Sequence, residues 1–172
     1  MAKEPEAGLS VRPARREDAA AITEIYNQGI EDRIATFETE PRSVADIEPW
    51  FDSAHAFVSV IDPSGVVAGY AVAHPYSDRC CYRGIGEYSV YVRRSQRGRG
   101  VGHAAMAALI AAARADGLWK LMSRIFPENR ASLSLMARLG FEEIGVHQKH
   151  GKLEGVWKDC VIVELVIPEN ID

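Results

Sequence analysis

Apolar positions recur along this chain with two different periods, and the changes of period mark out its elements. From Asp18 the apolar residues Ala21, Ile22, Ile25 and Tyr26 return at helical spacing, which predicts a helix stopping near Gly29. A short strand over 9–11 precedes it, just ahead of Pro13, and residues 30–41 read as irregular around Phe37. Ser43-Val-Ala-Asp46 has the form of a capping box and opens a short helix through Trp50 and Phe51. The period then drops to two. Residues 56–61 and 66–73 read as strands joined by Asp62-Pro-Ser-Gly65, which has hairpin-turn chemistry, and 84–92 is a further strand after a polar loop. An Ala/Leu/Met-rich helix follows over 100–115, ended by Asp116-Gly117. A strand is predicted over 118–125, a helix over 129–139 with Gly140 as its cap, and two last strands over 141–146 and 160–167.

This order predicts one mixed α/β (α+β) domain over residues 9–172, built on a single central sheet, with 1–8 as a loose charged tail. The chain length of 172 residues suits one domain, and 47% hydrophobic with 26% charged residues supports a real core. Lys and Arg number 20 against 24 Asp and Glu, a net charge of −4, so no nucleic-acid partner is expected. The longest apolar run, 104–113, falls far short of a bilayer span, and the first residues lack an apolar signal core. No membrane partner and a cytoplasmic location are therefore expected. Cys80, Cys81 and Cys160 make neither a disulfide framework nor a zinc pattern, which predicts a reduced protein without metal.

The sharpest local signal is Arg97-Gly98-Arg99-Gly100-Val101-Gly102-His103, between an apolar strand and the Ala-rich helix. Glycines let the backbone turn tightly and let its N–H groups approach an anion, while the helix start adds its free N–H groups and positive dipole end. Arg97 and Arg99 supply charge nearby. The spacing is neither a P-loop nor the dinucleotide G-x-G-x-x-G. The pattern fits a pyrophosphate site, or a basic strand–helix connection with no ligand.

Arg97-x-x-Gly100-x-Gly102 resembles the acetyl-CoA motif of the GNAT N-acetyltransferase superfamily. About 30 residues on, Pro127-Glu-Asn129-Arg-Ala-Ser132-Leu-Ser-Leu-Met136-Ala-Arg-Leu-Gly140-Phe141 resembles that superfamily's next segment. Within it, Tyr26-Asn27, Thr36-Phe37-Glu38-Thr39-Glu40-Pro41, Tyr82-Arg83, Glu87-x-Ser89-Val-Tyr-Val92 and Gly155-x-Trp157-x-Asp159 are similar to the phosphinothricin and methionine-sulfoximine group, which includes arsinothricin-detoxifying relatives. The resemblance implies a mostly antiparallel twisted sheet with helices on both faces, acetyl-CoA as acetyl donor, no metal, and a homodimer. It also implies acetylation of the α-amine of a small amino-acid-like substrate.

That chemistry needs a general base for the ammonium. Glu87 lies in an otherwise apolar strand, with Ile85, Ser89 and Tyr91 on its face, and matches the family's catalytic Glu. The resemblance further implies that Val90, Tyr91 and Val92 pair with the pantetheine amides through their backbone. The same resemblance assigns residues 97–103 to the pyrophosphate. Asn129 contacts the pantetheine arm in this reading, though as a helix start it also reads as a simple N-cap. Arg79, Tyr82 and Arg83 on the polar loop suit an acceptor bearing carboxylate or phosphinate groups, and Phe37 reads as a pocket wall or a core anchor. Three departures stand out. Met136 occupies the position of the usual acid and cannot donate a proton. Gly84-Ile85-Gly86 replaces a bulkier, Thr-containing run on the acceptor side. His147-Gln-Lys-His150-Gly-Lys152 reads as solvated strand. Acetylation of a peptide or protein N-terminus and a CoA-binding module without turnover are the alternative functions.

Overall fold

The computed structural model describes residues 8–171, so the tail expected at 1–8 lies outside the described residues but for Gly8. The strands are β1 (Ser10–Pro13), β2 (Ala56–Ile61), β3 (Val67–Pro75), β4 (Ile85–Val92), β5 (Lys120–Ile125), β6 (Glu142–Leu153) and β7 (Val156–Val166). The helices are α1 (Ala19–Asp32), α2 (Val44–Ile47), α3 (Trp50–Ser53), α4 (Val101–Ala115) and α5 (Arg130–Arg138). They form the single mixed α/β architecture that the alternation of periods predicts. The seven strands make one sheet in the order β1-β2-β3-β4-β5-β7-β6. Every neighbouring pair is antiparallel except β4 and β5.

The two sheet faces are covered by different helices. Ile22, Ile25, Tyr26 and Ile30 of α1 pack with Val67, Tyr70 and Val72, and Ile47 of α2 joins them. On the opposite face Val101, Ala105, Met106, Leu109 and Ala113 of α4 pack on Val58, Val60, Ala71, Ala73 and Tyr88. The small side chains of α4 allow a close approach: a Cβ on Gly69 would lie 2.7 Å from Val101. No helix among the described residues is long and apolar enough to cross a membrane.

Three elements differ from the sequence expectation, the first being the short helix expected from Ser43 through Phe51, which is two, α2 and α3, parted at Glu48 and Pro49. Helix α1 does not stop at Gly29 but runs to Asp32, where Arg33 adopts the left-handed cap at φ 58°. Gly29 serves packing instead, since a Cβ there would meet the Tyr91 ring at 2.5 Å. The last two strands form a long hairpin of 12 and 11 residues. Its polar stretch from His147 to Lys152 is solvated strand as expected, since β6 is an edge strand exposed over nearly its whole length, but β7 starts at Val156, ahead of the expected 160.

Asp18 ties the start of α1 to the sheet edge. Its buried carboxylate accepts hydrogen bonds from Arg12 Nη1 and Nη2 (2.7 and 2.8 Å), the Arg15 N–H (2.9 Å) and Ser59 Oγ (3.0 Å). Burial works against its charge, but these donors outweigh burial and hold its carboxyl below the ordinary value of 3.8. A depressed carboxylate stabilises the fold above its unfolded pKa, and the contribution fades as pH falls through the folded one. Asp18→Asn is therefore expected to cost about 3 kcal/mol at pH 7. The gap in urea midpoint between the two proteins should narrow in titrations below the ordinary value of 3.8.

Candidate active site

Strands β4 and β5 meet at only three residue pairs: Ile85 with Lys120, Gly86 with Leu121 and Glu87 with Met122. Past Glu87 they part, while β4 stays paired to β3 as far as Val92. The backbone of residues 88–92 is thus left without a strand partner on its β5 side. A cleft of about 410 Å³ opens there, bounded by Val90 and Tyr91 on β4, Ser123 and Ile125 on β5, and Asn129 at the start of α5. Residues 34–38 close its other side, and Phe37 stands in the wall as expected. The Phe37 ring packs edge-on against Phe126 with centroids 4.8 Å apart. A Cβ on Gly151 would touch it at 2.8 Å. Phe37 is therefore both pocket wall and anchor.

The glycine turn leads from β4 into α4. Gly98 and Gly100 both take positive φ, 76° and 82°. Gly100 is the N-cap of α4, and the helix's first backward bond is Ala104 N–H to Gly100 C=O at 3.0 Å. The amides before Ala104 have no earlier turn to bond, which makes this end an anion seat. Gly102 lets α5 come close, since a Cβ there would lie 3.2 Å from Leu135 and 3.5 Å from Val92. Val101 is buried and His103 is exposed on the first turn. Arg97 is not a loose charge. It pairs with Asp32 at 2.6 Å and donates through Nε to the Val92 C=O at 3.3 Å. Arg94 binds the same Asp32 at 2.8 Å, and Arg99 reaches Gln96 Oε1 at 3.5 Å. Burial disfavours the Asp32 charge, but the hydrogen bonds from Arg94 and Arg97 prevail and hold its carboxyl below the usual range. The arginines thus pin the turn to the end of α1.

Glu87 enters the cleft from the face shared with α1, as strand alternation predicts. Its carboxylate is paired with Arg124 of β5. Across β3, His74 is its register partner. Burial lowers the His74 pKa, with the Glu87 charge opposing. Tyr26 also lines the cleft, its hydroxyl pushed up to about 12 by burial and by Glu38. Glu38 itself is held by Arg42 Nε and Nη2 at 2.8 and 2.6 Å. Tyr91 is stacked on Tyr70 with centroids 5.8 Å apart, and burial raises its hydroxyl pKa. Asn129 caps α5, its Oδ1 accepting from the Ser132 N–H at 3.2 Å, and faces the cleft as well.

Other candidates sit elsewhere. Arg79, Tyr82 and Arg83 stand on the loop joining β3 to β4, outside the cleft lining. There the Arg79 guanidinium lies 5.5 Å from the Tyr82 ring centre. The glycines at 84 and 86 answer to packing. A Cβ at Gly84 would fall 2.0 Å from Trp119, and one at Gly86 3.0 Å from Leu118 and Leu121. Met136 is buried. Among the described residues no group of three or more His, Cys, Asp or Glu could hold a metal. The residue that sequence reading missed is Arg124. Its signal was akin to the one that exposed Glu87, a charge among apolar residues in a predicted strand, though that strand also carries Lys120.

An open strand edge beside a glycine-capped helix invites comparison with known acyltransferases. The model of the Acetyltransferase (GNAT) family matches residues 21–141. The chain belongs to the acetyltransferase (GNAT) family. It is 36% identical over 160 residues to an L-methionine sulfoximine/L-methionine sulfone acetyltransferase of Pseudomonas aeruginosa, covering 91% of this chain and 93% of that protein. It is 32% identical over 164 residues to a phosphinothricin N-acetyltransferase of Streptomyces coelicolor, covering 92% and 96%. A phosphinothricin acetyltransferase of Sinorhizobium meliloti, solved in complex with acetyl-CoA, superposes with a TM-score of 0.85 at 30% identity, covering 92% of this chain and 88% of that one.

The left-handed glycines of this acetyltransferase carry a measurable cost of replacement. Gly98→Ala and Gly100→Ala are each expected to destabilise by about 1–2 kcal/mol, read by urea denaturation. Their Cβ atoms meet little around Gly98, where nothing lies within 4 Å, so the loss there measures backbone conformation and not a clash.

Proposed function

We propose that this acetyltransferase moves an acetyl group from acetyl-CoA to the α-amine of a small amino-acid-like acceptor of the methionine-sulfoximine or phosphinothricin kind, by direct transfer with Glu87 as general base. One observation carries the reading: the Glu87 carboxylate enters the cleft at the point where β4 loses its β5 partner. The residues present fit the donor. The unpaired edge of β4 offers amide and carbonyl groups to a pantetheine arm, as an added strand would. The glycine turn suits a pyrophosphate, and the Asn129 Nδ2 remains to donate once its Oδ1 has capped α5.

In this mechanism Glu87 takes a proton from the acceptor's ammonium, and the freed nitrogen attacks the thioester carbonyl. The N–C bond forms as the C–S bond breaks, and a backbone N–H of the open β4 edge supports the oxygen as charge builds on it. Met136 has no proton to give, so the departing thiolate takes its proton through water, which carries off the second proton that the attacking nitrogen sheds as the amide forms. Direct transfer is further supported by Cys160, the thiol beside the cleft. It is buried, and burial pushes its pKa up, away from the thiolate that an acyl-enzyme would need.

A homodimer is part of the same proposal, supported by Ile144, Val146, Val156 and Trp157, which are large, apolar and exposed on the β6–β7 hairpin. Light scattering should return twice the chain mass.

Glu87→Gln is expected to lower kcat by about 10²–10⁴-fold while leaving acetyl-CoA affinity unchanged in calorimetry. Release of CoA thiol should be selective for methionine sulfone, methionine sulfoximine or phosphinothricin over polyamines and short peptides. Turnover of peptides alone, or tight acetyl-CoA binding with no acceptor at all, would replace this reading with one of the two alternatives.

A further inference from the structure

We propose that Arg124 binds the α-carboxylate of the acceptor, and that the Glu87–Arg124 ion pair is exchanged for the acceptor's own ammonium and carboxylate. The proposal rests on the amino-acid acceptor proposed above and assigns the residue that selects for it.

The register puts both side chains on one face. Met122 lies opposite Glu87, and strand alternation brings Arg124, two residues on, to the same side of the sheet. Arg124 Nη2 donates to Glu87 Oε1 within the cleft. Among the described residues that line the cleft, Arg124 alone is cationic. The cleft's other carboxylate, Glu38, is held by both ends of the Arg42 fork and by the Tyr26 hydroxyl, so it is committed to its own wall.

The Glu87–Arg124 pair is different. Its side chains retain 32% and 38% of their exposure, and a single nitrogen–oxygen contact joins them. Such a pair contributes little and exchanges readily. An α-amino acid carries its ammonium and carboxylate on one carbon, so two protein groups that touch each other are spaced to receive both. Exchange replaces one ion pair by two charge-assisted ones, and the guanidinium can accept the carboxylate in its fork. An amine without a carboxylate must instead break the pair and offers the guanidinium no charge-assisted partner in return. The exchange also frees Glu87 to take the ammonium proton only when a carboxylate has arrived. Selection and base release become one event.

The test compares L-methionine sulfone with its α-amide in the wild-type enzyme, Arg124→Met and Arg124→Lys, with acetyl-CoA binding by calorimetry as the check on folding. The wild type should favour the acid over the amide by about 100-fold or more in kcat/KM. Arg124→Met should bring the two within about threefold, with the loss falling mainly on the acid through a higher KM, and Arg124→Lys should fall between. An unchanged acid-to-amide ratio in both variants overturns the proposal and directs the carboxylate to Arg79 or Arg83. Equal use of acid and amide by the wild type overturns it too. If the wild type acetylates peptides or polyamines but no α-amino acid, the functional reading itself fails and this assignment falls with it. Should Arg124→Met lose acetyl-CoA binding, the ratio in Arg124→Lys decides alone.

Discussion

Parallel strands β4 and β5 pair through only three residues before they separate, and the whole site follows from that short ladder. A sheet that continued to pair would consume the backbone groups of residues 88–92, since buried amides and carbonyls are almost always bonded. Ending the ladder at Glu87 leaves those groups facing a cleft and sets one carboxylate at its apex. The next strand neighbours are antiparallel and continuously registered on both sides, so the opening is local to β4 and β5.

Several tight contacts hold the opening at its width. Below it, the lack of side chains at Gly84 and Gly86 draws Trp119, Leu118 and Leu121 against β4, so the two strands are clamped where they do pair. Beside it, Tyr91 lies on Gly29 and against Tyr70 and Tyr26, which fixes the end of α1 over the outer part of β4. Above it, Arg94 and Arg97 converge on Asp32 and tether the glycine turn to the same helix end. Glycine at a close approach, an aromatic stack and a shared carboxylate are different devices. The glycines at 84 and 86 clamp β4 to β5, while the aromatic contacts and the shared carboxylate fasten the site to α1.

Elements with a buried face were legible in the sequence, because burial writes a period or, where both faces are covered as in β3, an apolar run. Helix α1, the Ala-rich α4 and strands β2 to β5 all carry one or the other. The β6–β7 hairpin was only half legible, since β6 is solvated on both sides and the first residues of β7, 156–159, lie outside the strand expected from 160. In the site, the glycine turn and Glu87 were visible as local anomalies in an apolar context. The pairing of Glu87 with Arg124 was not, because it depends on a register between strands some 35 residues apart in the chain. Gly29 misled for a related reason. A glycine near a helix end reads as a stop, and only the tertiary position of Tyr91 explains why the helix continues through it.

Two Arg–carboxylate pairs in this molecule mark the difference between scaffold and site. Asp18 is 4% exposed, and its oxygens are satisfied by Arg12, Arg15 and Ser59 from three parts of the chain, so removing one partner strands a buried charge. The Glu87–Arg124 pair is open to solvent and joined by a single contact, so either partner can turn to another ion without leaving a buried charge alone. The first pair is suited to holding the sheet edge and unsuited to exchange; the second is the reverse. Burial decides between the two roles, and the cleft that exposes the second pair exists because the β4–β5 ladder stops where it does.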